Sequence, residues 1–575
     1  MEEMHAKNDR APDYVDNIEF LPNYFYTGFN GPTNPGFAHV AHAHSSDPLT
    51  LIQATKRPGW PKWEAAIKEE LRSLEVFSTF EVVDLPPGKR PVGCKYVFKT
   101  KYRPDGSIDK YKVRLVAQGF LQQESIDYNE IFAPVVDSTS MSLLLAIANQ
   151  ENWECEQMDV VTAILHGRLD EEVYMKIPPY MDIPNSTHKV LKLKGALYGL
   201  KQSSNVWGRT FERFMLKQGF KQSILDTCIY YRGTGLNRII LGIHVDDQAI
   251  IGPSIDVIRE FKRDLATEFK MKDLGALTHI LGVEVKRDRQ SRILTLHQSS
   301  YVQQVLERYG MSDCNPTKLP FSPHLTFSPD DEPTLKPDLE TVIDYRAKVG
   351  SLIYAMKQTR VDICYPLGVL AKHMSNPGPA HIKALHQLLR YLQGTKDFGL
   401  TYVGQRSFEV RGYCDASYKQ CQFSAKSITG WVTTVGGTAL SWKSQKQSTT
   451  AQSTTEAEYI AACSISKECF YLKQLLKEIG YDITITVYCD STSALAMIRN
   501  LVQRQKCKSF FVVYHAVREY HQKELLRYEH LARALQPADM ITKPLPYATL
   551  ERHMRTLNFG NNKNIPGSCS LSQSR

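Results

Sequence analysis

The sequence has 575 residues, with 70 Lys and Arg against 61 Asp and Glu, which gives a formal net charge of +9. A chain of this length exceeds a single hydrophobic core, so we expect several domains. Its 42% of hydrophobic and 23% of charged residues are typical of a globular protein and exclude a largely disordered chain. The modest positive charge permits a polyanionic partner without requiring one.

Targeting and cysteine signals narrow the class of protein further. The opening residues MEEMHAKNDR are charged where a signal peptide is apolar, and no apolar run approaches the ~20 residues that cross a bilayer. The 12 cysteines form no C-x-x-C pair, so we expect reduced thiols. These features predict an intracellular protein that spans no membrane.

The first elements in chain order are a lead-in, a helix and a hairpin. Residues 1–50 are rich in Asn, Gly, Pro and His, which predicts a disordered lead-in. Trp63, Ile67, Leu71 and Leu74 recur at helical spacing, so WEAAIKEELRSLEVF predicts an amphipathic helix. VGCKYVFKTKY and YKVRLVAQGF predict a hairpin with Lys and Arg on its exposed face.

Two later segments place carboxylates where strands end. EQMDVVTAIL predicts a short strand that ends at Asp159, and RIILGIHVDDQAIIG predicts a hairpin with Asp246 and Asp247 at its tip. Adjacent carboxylates between apolar strands repel each other and lose hydration, so a bound cation would offset their cost. Carboxylates that converge on one sheet edge are a common way to hold paired Mg2+ ions. The alternative is an ordinary Asp-containing hairpin turn.

The pattern changes twice in the second half of the chain. Residues 315–337 predict a proline-punctuated linker, and residues 345–394 predict a mostly helical block. Strands resume from residue 409, followed by a long helix in EAEYIAACSISKECFYLKQLLKEIG and a strand in ITVYCD. The polar residues after 558 are expected to form a tail.

Taken together, these segments resemble one known family. The series VGCKYVFKTKYRPDGSIDKYKVRLVAQGF, IDYNEIFAPVV, QMDVVTAILHGRLDEEVYM, LYGLKQ, HVDD, YCDAS, STTEAEY, YCDS and QPADMITKPL resembles, in the same order, the reverse transcriptase of copia-type LTR retrotransposons. The resemblance covers about residues 63–559.

The resemblance implies a multidomain α+β and α/β fold. Its parts would be a right-hand polymerase of fingers, palm and thumb, a connection segment, and a C-terminal ribonuclease H-like domain with a mixed five-stranded sheet. The implied regions are a lead-in at 1–50, fingers and palm at 51–253, a thumb-like region at 254–320, a proline-rich linker with a helical connection at 321–404, a ribonuclease H-like domain at 405–548 and a tail at 549–575.

The resemblance also implies roles for residues of the first site. Asp159 and Asp246 would be the principal Mg2+ ligands, with Asp247 in support. Lys112 and Arg114 would neutralise the incoming triphosphate, and Gln202 would contact the nucleotide. For the two basic residues, the alternative is an ordinary solvated basic face.

For the second site, the resemblance implies the four-acid set of a ribonuclease H: Asp415, Glu456, Asp490 and Asp539. These acids would hold two metal ions that activate water for attack on RNA. Glu458 would point elsewhere, because helical residues two apart lie on different faces. The alternative is that each acid is a helix cap or a surface charge, as for Asp490 before STSA.

The sequence departs from the family pattern at two positions beside the first site. His244 stands where the family carries a Tyr that packs behind the primer end, so primer positioning does not carry over from the resemblance. Ile164 stands where the family carries an aromatic residue beneath the sugar. Because Ile164 is smaller than an aromatic residue, we expect weaker discrimination against ribonucleotides. By the resemblance, His244 and Ile164 would both border the bound nucleotide.

The function implied by this resemblance is an RNA-directed DNA polymerase with ribonuclease H activity. The implied cofactor is Mg2+, two ions per site, with Mn2+ as a substitute. The implied partners are an RNA template, a DNA primer, an RNA–DNA hybrid and dNTPs, in the cytoplasm, the nucleus or virus-like particles. The alternative function is a degenerate retroelement remnant that binds nucleic acid with weak or no polymerase activity.

Overall fold

The computed structural model describes residues 47–561 except 103–106, 124–126, 132, 134, 185–187, 420–423 and 501–515. The predicted lead-in therefore lies outside the described residues up to residue 46, as does the end of the predicted tail from residue 562. Among the described helices, none combines the length and the apolar character needed to span a bilayer.

The N-terminal part packs an amphipathic helix on a two-stranded hairpin. Its elements are α1 (Leu51–Thr55), α2 (Trp60–Val76), β1 (Phe80–Asp84), β2 (Cys94–Tyr102) and β3 (Ile108–Ala117). The predicted helix is confirmed: α2 buries Trp63, Ile67, Leu71 and Leu74. The predicted hairpin is also confirmed, because β2 and β3 pair antiparallel with Lys99 opposite Lys112.

The centre of the molecule is a six-stranded antiparallel sheet. The elements of this region are α3 (Ser138–Gln150), β4 (Glu154–Val160), β5 (Arg168–Met175), β6 (Lys189–Gly195), α4 (Ser203–Lys217), β7 (Lys221–Gln222), β8 (Ile229–Arg232), β9 (Ile239–His244), β10 (Asp247–Gly252), α5 (Ile255–Glu268) and β11 (Met271–Ala276). The strand order is β11-β4-β10-β9-β8-β7. All of β9 is buried, as its apolar run predicts. Strands β1, β6 and β5 form a separate three-stranded sheet.

A second sheet and a helical block follow. Their elements are β12 (His279–Ile280), β13 (Val283–Asp288), β14 (Ile293–His297), α6 (Ser299–Arg308), α7 (Leu339–Gln358), α8 (Cys364–Leu370), α9 (Pro379–Gly394) and β15 (Gly399–Val403). Helices α6 to α9 bury a shared apolar cluster that includes Tyr345 and Tyr391. Between α6 and α7 the structure has a single 3-10 turn, Pro329–Asp331, which agrees with the predicted linker.

The C-terminal part contains the predicted five-stranded mixed sheet. Its elements are β16 (Val410–Ser417), β17 (Ile428–Val435), β18 (Thr438–Lys446), α10 (Thr454–Glu478), β19 (Ile485–Cys489), α11 (Thr492–Arg499), α12 (Ala516–Gln522), β20 (Leu526–His530), α13 (Tyr547–Thr556) and β21 (Phe559–Gly560). The order is β18-β17-β16-β19-β20, in which β16, β19 and β20 run parallel.

The prediction of a tail from residue 549 is wrong for 549–560. These residues contain most of α13 and the whole of β21, and β21 pairs antiparallel with β15. The strand completes a five-stranded sheet of order β12-β13-β14-β15-β21. The polar composition after residue 558 concealed this pairing, because a two-residue strand has no periodicity of its own.

The central sheet and the C-terminal sheet share one hydrophobic core. A single cluster of buried residues runs from Val136 to Phe559. Polar contacts cross the same interface: the Ser140 and Tyr471 hydroxyls lie 2.7 Å apart, and the Ser223 hydroxyl donates to Glu478 at 2.5 Å. The predicted boundary at residue 405 therefore falls within a continuous core.

Candidate active sites

Three carboxylates lie together at the same end of three neighbouring strands of the central sheet. In the register of β4 and β10, Asp247 lies opposite Asp159, and in that of β9 and β10 it lies opposite His244. Asp246 occupies the turn between β9 and β10, and its carbonyl accepts a hydrogen bond from Val160 N at 2.9 Å. The structure thus brings together the three acids that the sequence predicts for the first site.

The turn that carries Asp246 is fixed by a neighbouring helix. Val245 has a φ of 57°, in the left-handed region that a β-branched residue rarely adopts. The indole Nε1 of Trp207, on α4, donates to the Val245 carbonyl at 2.7 Å. Because this bond compensates for an unfavourable backbone conformation, α4 positions the carboxylate-bearing tip.

The acids at this edge repel one another. Burial raises the pKa of Asp159, and the nearby Asp246 raises it further. Burial raises the pKa of Asp247 to about 6, with contributions from Asp246 and Asp159, against a hydrogen bond from Gln157 that lowers it. Such repulsion favours a cation between the carboxylates, and their oxygen donors fit a hard divalent ion.

Two basic residues of the hairpin act on the same acids. Burial lowers the pKa of Lys112 to about 8, with Arg114 as the next cause and Asp159 in opposition. The guanidinium carbon of Arg114 lies 4.3 Å from the centre of the Tyr198 ring, which holds it over the LYGLKQ turn. Both residues lower the pKa of Asp159, so the hairpin faces the acids, as an anion site between them requires.

The structure places Gln202 in a buried network. The side chain is 1% exposed; its Oε1 accepts from Gln122 Nε2 at 3.1 Å, and its Nε2 donates to the Asp127 carbonyl at 2.9 Å. Both ends of the amide are therefore used within the protein. Each end can form one further bond, but the side chain is almost fully buried, and the predicted contact with a nucleotide stays a prediction.

Ile164 and His244 are both buried. Ile164 is 5% exposed and belongs to the core cluster of the central sheet. His244 is 9% exposed, and burial lowers the pKa of its imidazole, with Asp246 in opposition. Burial thus favours the neutral imidazole at a position opposite Asp247. The consequences predicted for sugar discrimination and primer positioning stay predictions.

A second group of carboxylates lies at one edge of the C-terminal sheet. Parallel strands β16 and β19 pair with Cys414 beside Cys489, so the next residues, Asp415 within β16 and Asp490 just after β19, lie side by side. Asp539 lies in the 3-10 helix Pro537–Ile541, which packs on β16 and β17. The structure thus brings together three of the four acids predicted for the second site.

The structure does not bring the predicted Glu456 into this group and places Glu458 there instead. The Glu456 carboxylate accepts a hydrogen bond from Gln452 N at 2.8 Å, and its own N–H donates to Ser453 Oγ at 3.1 Å. Glu456 therefore caps the start of α10. The carboxylate of Glu458 lies instead with Asp490 and the Cys489 thiol, their ligand atoms all within 4.8 Å of one another.

The largest pKa shift in this second group exceeds those in the first, with burial as the main cause. Burial raises the pKa of Glu458 to about 10, with Asp415, Cys489 and Asp490 as further causes. Burial and Asp415 raise the pKa of Asp539 to about 6, while Lys543 lowers it. Among the described residues, Glu458 Oε2 is buried without a hydrogen-bond partner. An unpartnered carboxylate oxygen among other acids fits a divalent cation.

Sequence reasoning missed Glu458 and Lys543, and a signal existed for the first. Ser453 and Glu456 form the S-x-x-E pattern of a capping box, which assigns Glu456 to the helix end and leaves Glu458 for the site. For Lys543, the spacing of four residues from Asp539 indicates an ion pair, but it does not indicate the contact with Asp415.

Comparison with known proteins specifies the class and the family of this chain. Residues 77–323 match the family described as "Reverse transcriptase (RNA-dependent DNA polymerase)". The chain is 40% identical over 516 residues to the retrovirus-related Pol polyprotein from transposon TNT 1-94 of Nicotiana tabacum, covering 89% of this chain and 39% of the relative.

The chain is also similar to a yeast transposon protein and to a solved viral structure. A putative transposon Ty5-1 protein of Saccharomyces cerevisiae is 31% identical over 306 residues, which cover 53% of this chain and 98% of that protein. A solved foamy viral protease-reverse transcriptase in complex with double-stranded DNA has a TM-score of 0.44 and 11% identity, over 81% of this chain and 69% of that chain.

The chain belongs to the reverse transcriptase family of copia-type retrotransposons. It spans between a third and two fifths of the length of the first curated relatives that it matches. The predicted fold class is confirmed, including the mixed five-stranded sheet near the C-terminal end. Enzymes of this family generally use divalent metal ions, in agreement with the carboxylate groups at both sheet edges.

Proposed function

We propose that the chain is an RNA-directed DNA polymerase with ribonuclease H activity. The observation that carries the polymerase assignment is the register that sets Asp159 opposite Asp247, with Asp246 in the adjoining turn. The Lys112 and Arg114 side chains act on Asp159 from the facing hairpin. Carboxylates opposed by cations supply both the metal ligands and the positive charges that a metal-bound triphosphate needs.

In this proposal each residue of the first site has a distinct task. Asp159 and Asp246 hold two Mg2+ ions with support from Asp247, and Mn2+ can replace them. Bound Mg2+ would activate the primer hydroxyl and stabilise the leaving group. Lys112 and Arg114 bind triphosphate oxygens, and the Trp207 bond to the Val245 carbonyl keeps the acids in register.

The second site would hydrolyse the RNA strand of an RNA–DNA hybrid. Asp415, Glu458, Asp490 and Asp539 would hold two divalent ions, with Glu458 in place of Glu456. The unpartnered Oε2 of Glu458 supports this assignment. Binding of hybrid would rest on A-like shape and 2′-hydroxyl contacts, and binding of template on phosphate contacts that weaken steeply with salt.

Primer extension on an RNA template with Mg2+ tests the first activity. The matched variants are Asp246→Asn, which removes a proposed ligand, and Asp256→Asn, whose side chain is 87% exposed on α5. We expect Asp256→Asn to extend like the wild type and Asp246→Asn to lose about a thousandfold or more of the rate. Equal rates for the wild type and Asp246→Asn would overturn the polymerase assignment.

Hybrid cleavage tests the second activity independently. Glu458→Gln should abolish cleavage and leave primer extension unchanged. Glu456→Gln should retain cleavage, because this side chain caps a helix. Loss of cleavage in Glu456→Gln together with normal cleavage in Glu458→Gln would reverse the assignment of the two residues.

The second candidate function is a retroelement remnant that binds nucleic acid without efficient polymerisation. The observation that favours it is the burial of Ile164 and His244 beside the first site, where the family pattern has aromatic residues. If this function is correct, the wild-type protein binds an RNA–DNA hybrid in a salt-dependent way but extends primers no faster than the Asp246→Asn variant. Restoring the pattern by His244→Tyr with Ile164→Phe would then raise extension.

A further inference from the structure

The acid group of the C-terminal sheet contains a cation of its own on one side. Lys543 Nζ lies 2.8 Å from Asp539 Oδ1 and 3.4 Å from Asp415 Oδ2, so one ammonium bridges two of the four acids. On the other side, Glu458 and Asp490 approach each other beside the Cys489 thiol. There Glu458 Oε2 has no hydrogen-bond partner among the described residues; Asp539 Oδ1 also accepts no hydrogen bond, but it has the Lys543 ammonium at 2.8 Å. The group is therefore neutralised unevenly.

Lys543 is held in this position by its surroundings. It is four residues from Asp539, at the end of a 3-10 helix, and only 21% of its side chain is exposed. The neighbouring Thr542 hydroxyl donates to the same Asp415 oxygen, Oδ2. The segment is packed closely on β17, since a Cβ on Gly430 would lie 2.4 Å from Thr542 Cγ2. The ammonium is thus mostly shielded from solvent, on a closely packed segment, with two acids as its partners.

The two sides differ in what an entering divalent ion must displace. A divalent ion that enters between Asp415 and Asp539 must displace the Lys543 ammonium against electrostatic repulsion. An ion that enters at Glu458 and Asp490 instead meets a carboxylate oxygen that accepts no hydrogen bond. We propose that Lys543 is a positioning residue that substitutes for the second divalent ion in the metal-free protein, so that two ions bind in order, first at Glu458 and Asp490.

This inference rests on the proposed nuclease site and specifies its order of filling. It also predicts two opposite effects of removing the ammonium. The metal-free protein should lose stability, because Asp415 and Asp539 then repel each other without compensation. The second ion should bind more tightly, because it no longer competes with a resident charge.

Counting bound Mn2+ by electron paramagnetic resonance tests the proposal on the full chain. Asp159→Asn with Asp246→Asn provides the background, so that the ions counted belong to the second site. In this background we expect two classes of Mn2+ with unequal affinity. Lys543→Met should lower the second dissociation constant about fivefold, equivalent to about 1 kcal/mol, and leave the first nearly unchanged.

Three further variants make the result specific. Lys523→Met breaks a different ion pair of the same spacing, with Glu519, and should leave both constants unchanged. Lys543→Arg keeps the charge and should keep the weak second class. Lys543→Gln repeats the prediction for Lys543→Met, in case the methionine variant does not fold.

The outcomes separate this inference from the function on which it rests. A second dissociation constant that is unchanged or higher in Lys543→Met and Lys543→Gln overturns the ordered binding, while Glu458-dependent Mn2+ binding keeps the nuclease site. An absence of Mn2+ binding in the background protein overturns both. Tighter second binding in both uncharged variants, with Lys523→Met unchanged, supports the proposal.

Discussion

At the scale of single residues, Gln248 is a buried polar side chain whose hydrogen-bonding groups are not satisfied. It follows Asp247 on β10, it is fully buried, and neither atom of its amide has a hydrogen-bond partner among the described residues. Its register partners, Met158 and Ile243, are apolar. An unpaired buried amide lowers the stability of a protein, so this position reduces the stability of the strand that carries the first site.

Gln248→Leu should therefore stabilise the protein. The change removes the unsatisfied amide at nearly constant volume, and we expect the free energy of unfolding to rise by about 1–2 kcal/mol. Urea denaturation measures it. Gln157→Leu is the matched control, because the buried Gln157 hydrogen-bonds Asp247 and its loss should lower stability. Destabilisation by Gln248→Leu would mean that a partner such as bound water satisfies the amide.

The pKa of Asp247 gives a prediction with a defined pH window. The folded-state pKa is about 6, above the ordinary value of 3.8, so the folded protein binds the proton more tightly than the unfolded chain. By linkage, the stability of the metal-free protein falls as pH rises through this window, and the full cost is present above pH 6. Asp247→Asn removes this cost.

In the presence of a chelator at pH 7.5, the free energy of unfolding of Asp247→Asn should exceed that of the wild type by about 1–2 kcal/mol, a value that already allows for solvent screening. Near pH 4 the two proteins should be equally stable. Thermal unfolding at both pH values measures the difference. With Mg2+ the advantage should shrink or reverse, because the amide is a poorer ligand than the carboxylate. A variant that is less stable than the wild type in chelator at pH 7.5 contradicts the repulsion.

The sequence predicts most of the residues in the two acid groups, but helical geometry alone does not choose the glutamate of the second group. The order of motifs suffices for Asp159, Asp246 and Asp247, because a strand end and a hairpin tip fix where those side chains emerge. Along α10, Glu456 and Glu458 stand in one helical turn, and the capping pattern of Ser453 and Glu456 is the sequence signal that separates them. The hydrogen bond from Gln452 N to the Glu456 carboxylate is the corresponding contact in the structure.

At the scale of elements, a helix sets the geometry of the carboxylate-bearing hairpin. The periodicity of α4 predicts its buried face, which includes Trp207, Phe211 and Phe214. Periodicity does not predict that the Trp207 indole reaches the Val245 carbonyl across 38 residues of sequence. Elements whose apolar pattern is regular are thus predictable, whereas single polar bonds between elements depend on their packing.

Trp207→Phe should impair polymerisation more than it impairs folding. Phenylalanine keeps an aromatic ring in the cluster with Phe211 and Phe269 but cannot donate to the Val245 carbonyl. We expect a stability loss of about 1–2 kcal/mol and a fall in the primer-extension rate of about tenfold or more, since small misplacements of reacting groups cost rate steeply. Hybrid cleavage in the same preparation is the internal control. Equal losses of both activities would indicate general destabilisation instead.

At the scale of the whole molecule, the structure pairs segments that lie far apart in the sequence. The family resemblance implies a boundary near residue 405 and a tail from residue 549, while the sequence pattern itself changes at residue 409 and after residue 558. The structure instead pairs β15 with β21, and the Tyr402 hydroxyl donates to the Ala439 carbonyl across the boundary. Pairings between segments more than 150 residues apart depend on tertiary packing and leave no local signal.

Phe559→Ala tests whether the core that joins the two sheets unfolds as one unit. Phe559 is 2% exposed, and its ring centre lies 5.8 Å from that of Phe398. Truncation of a buried phenylalanine costs about 3–5 kcal/mol. Because the cluster is continuous, we expect calorimetry to show one main transition at a lower temperature, with both enzymatic activities lost together on heating.

The control is Phe120→Ala, which removes the same side chain at a position where 68% of the residue is exposed, and it should shift the transition little. Independent domains would behave differently. Two transitions would appear, and only the one linked to hybrid cleavage would move in Phe559→Ala. That pattern would mean that the contacts of Ser140 with Tyr471 and of Ser223 with Glu478 join two separately stable units rather than one cooperative core.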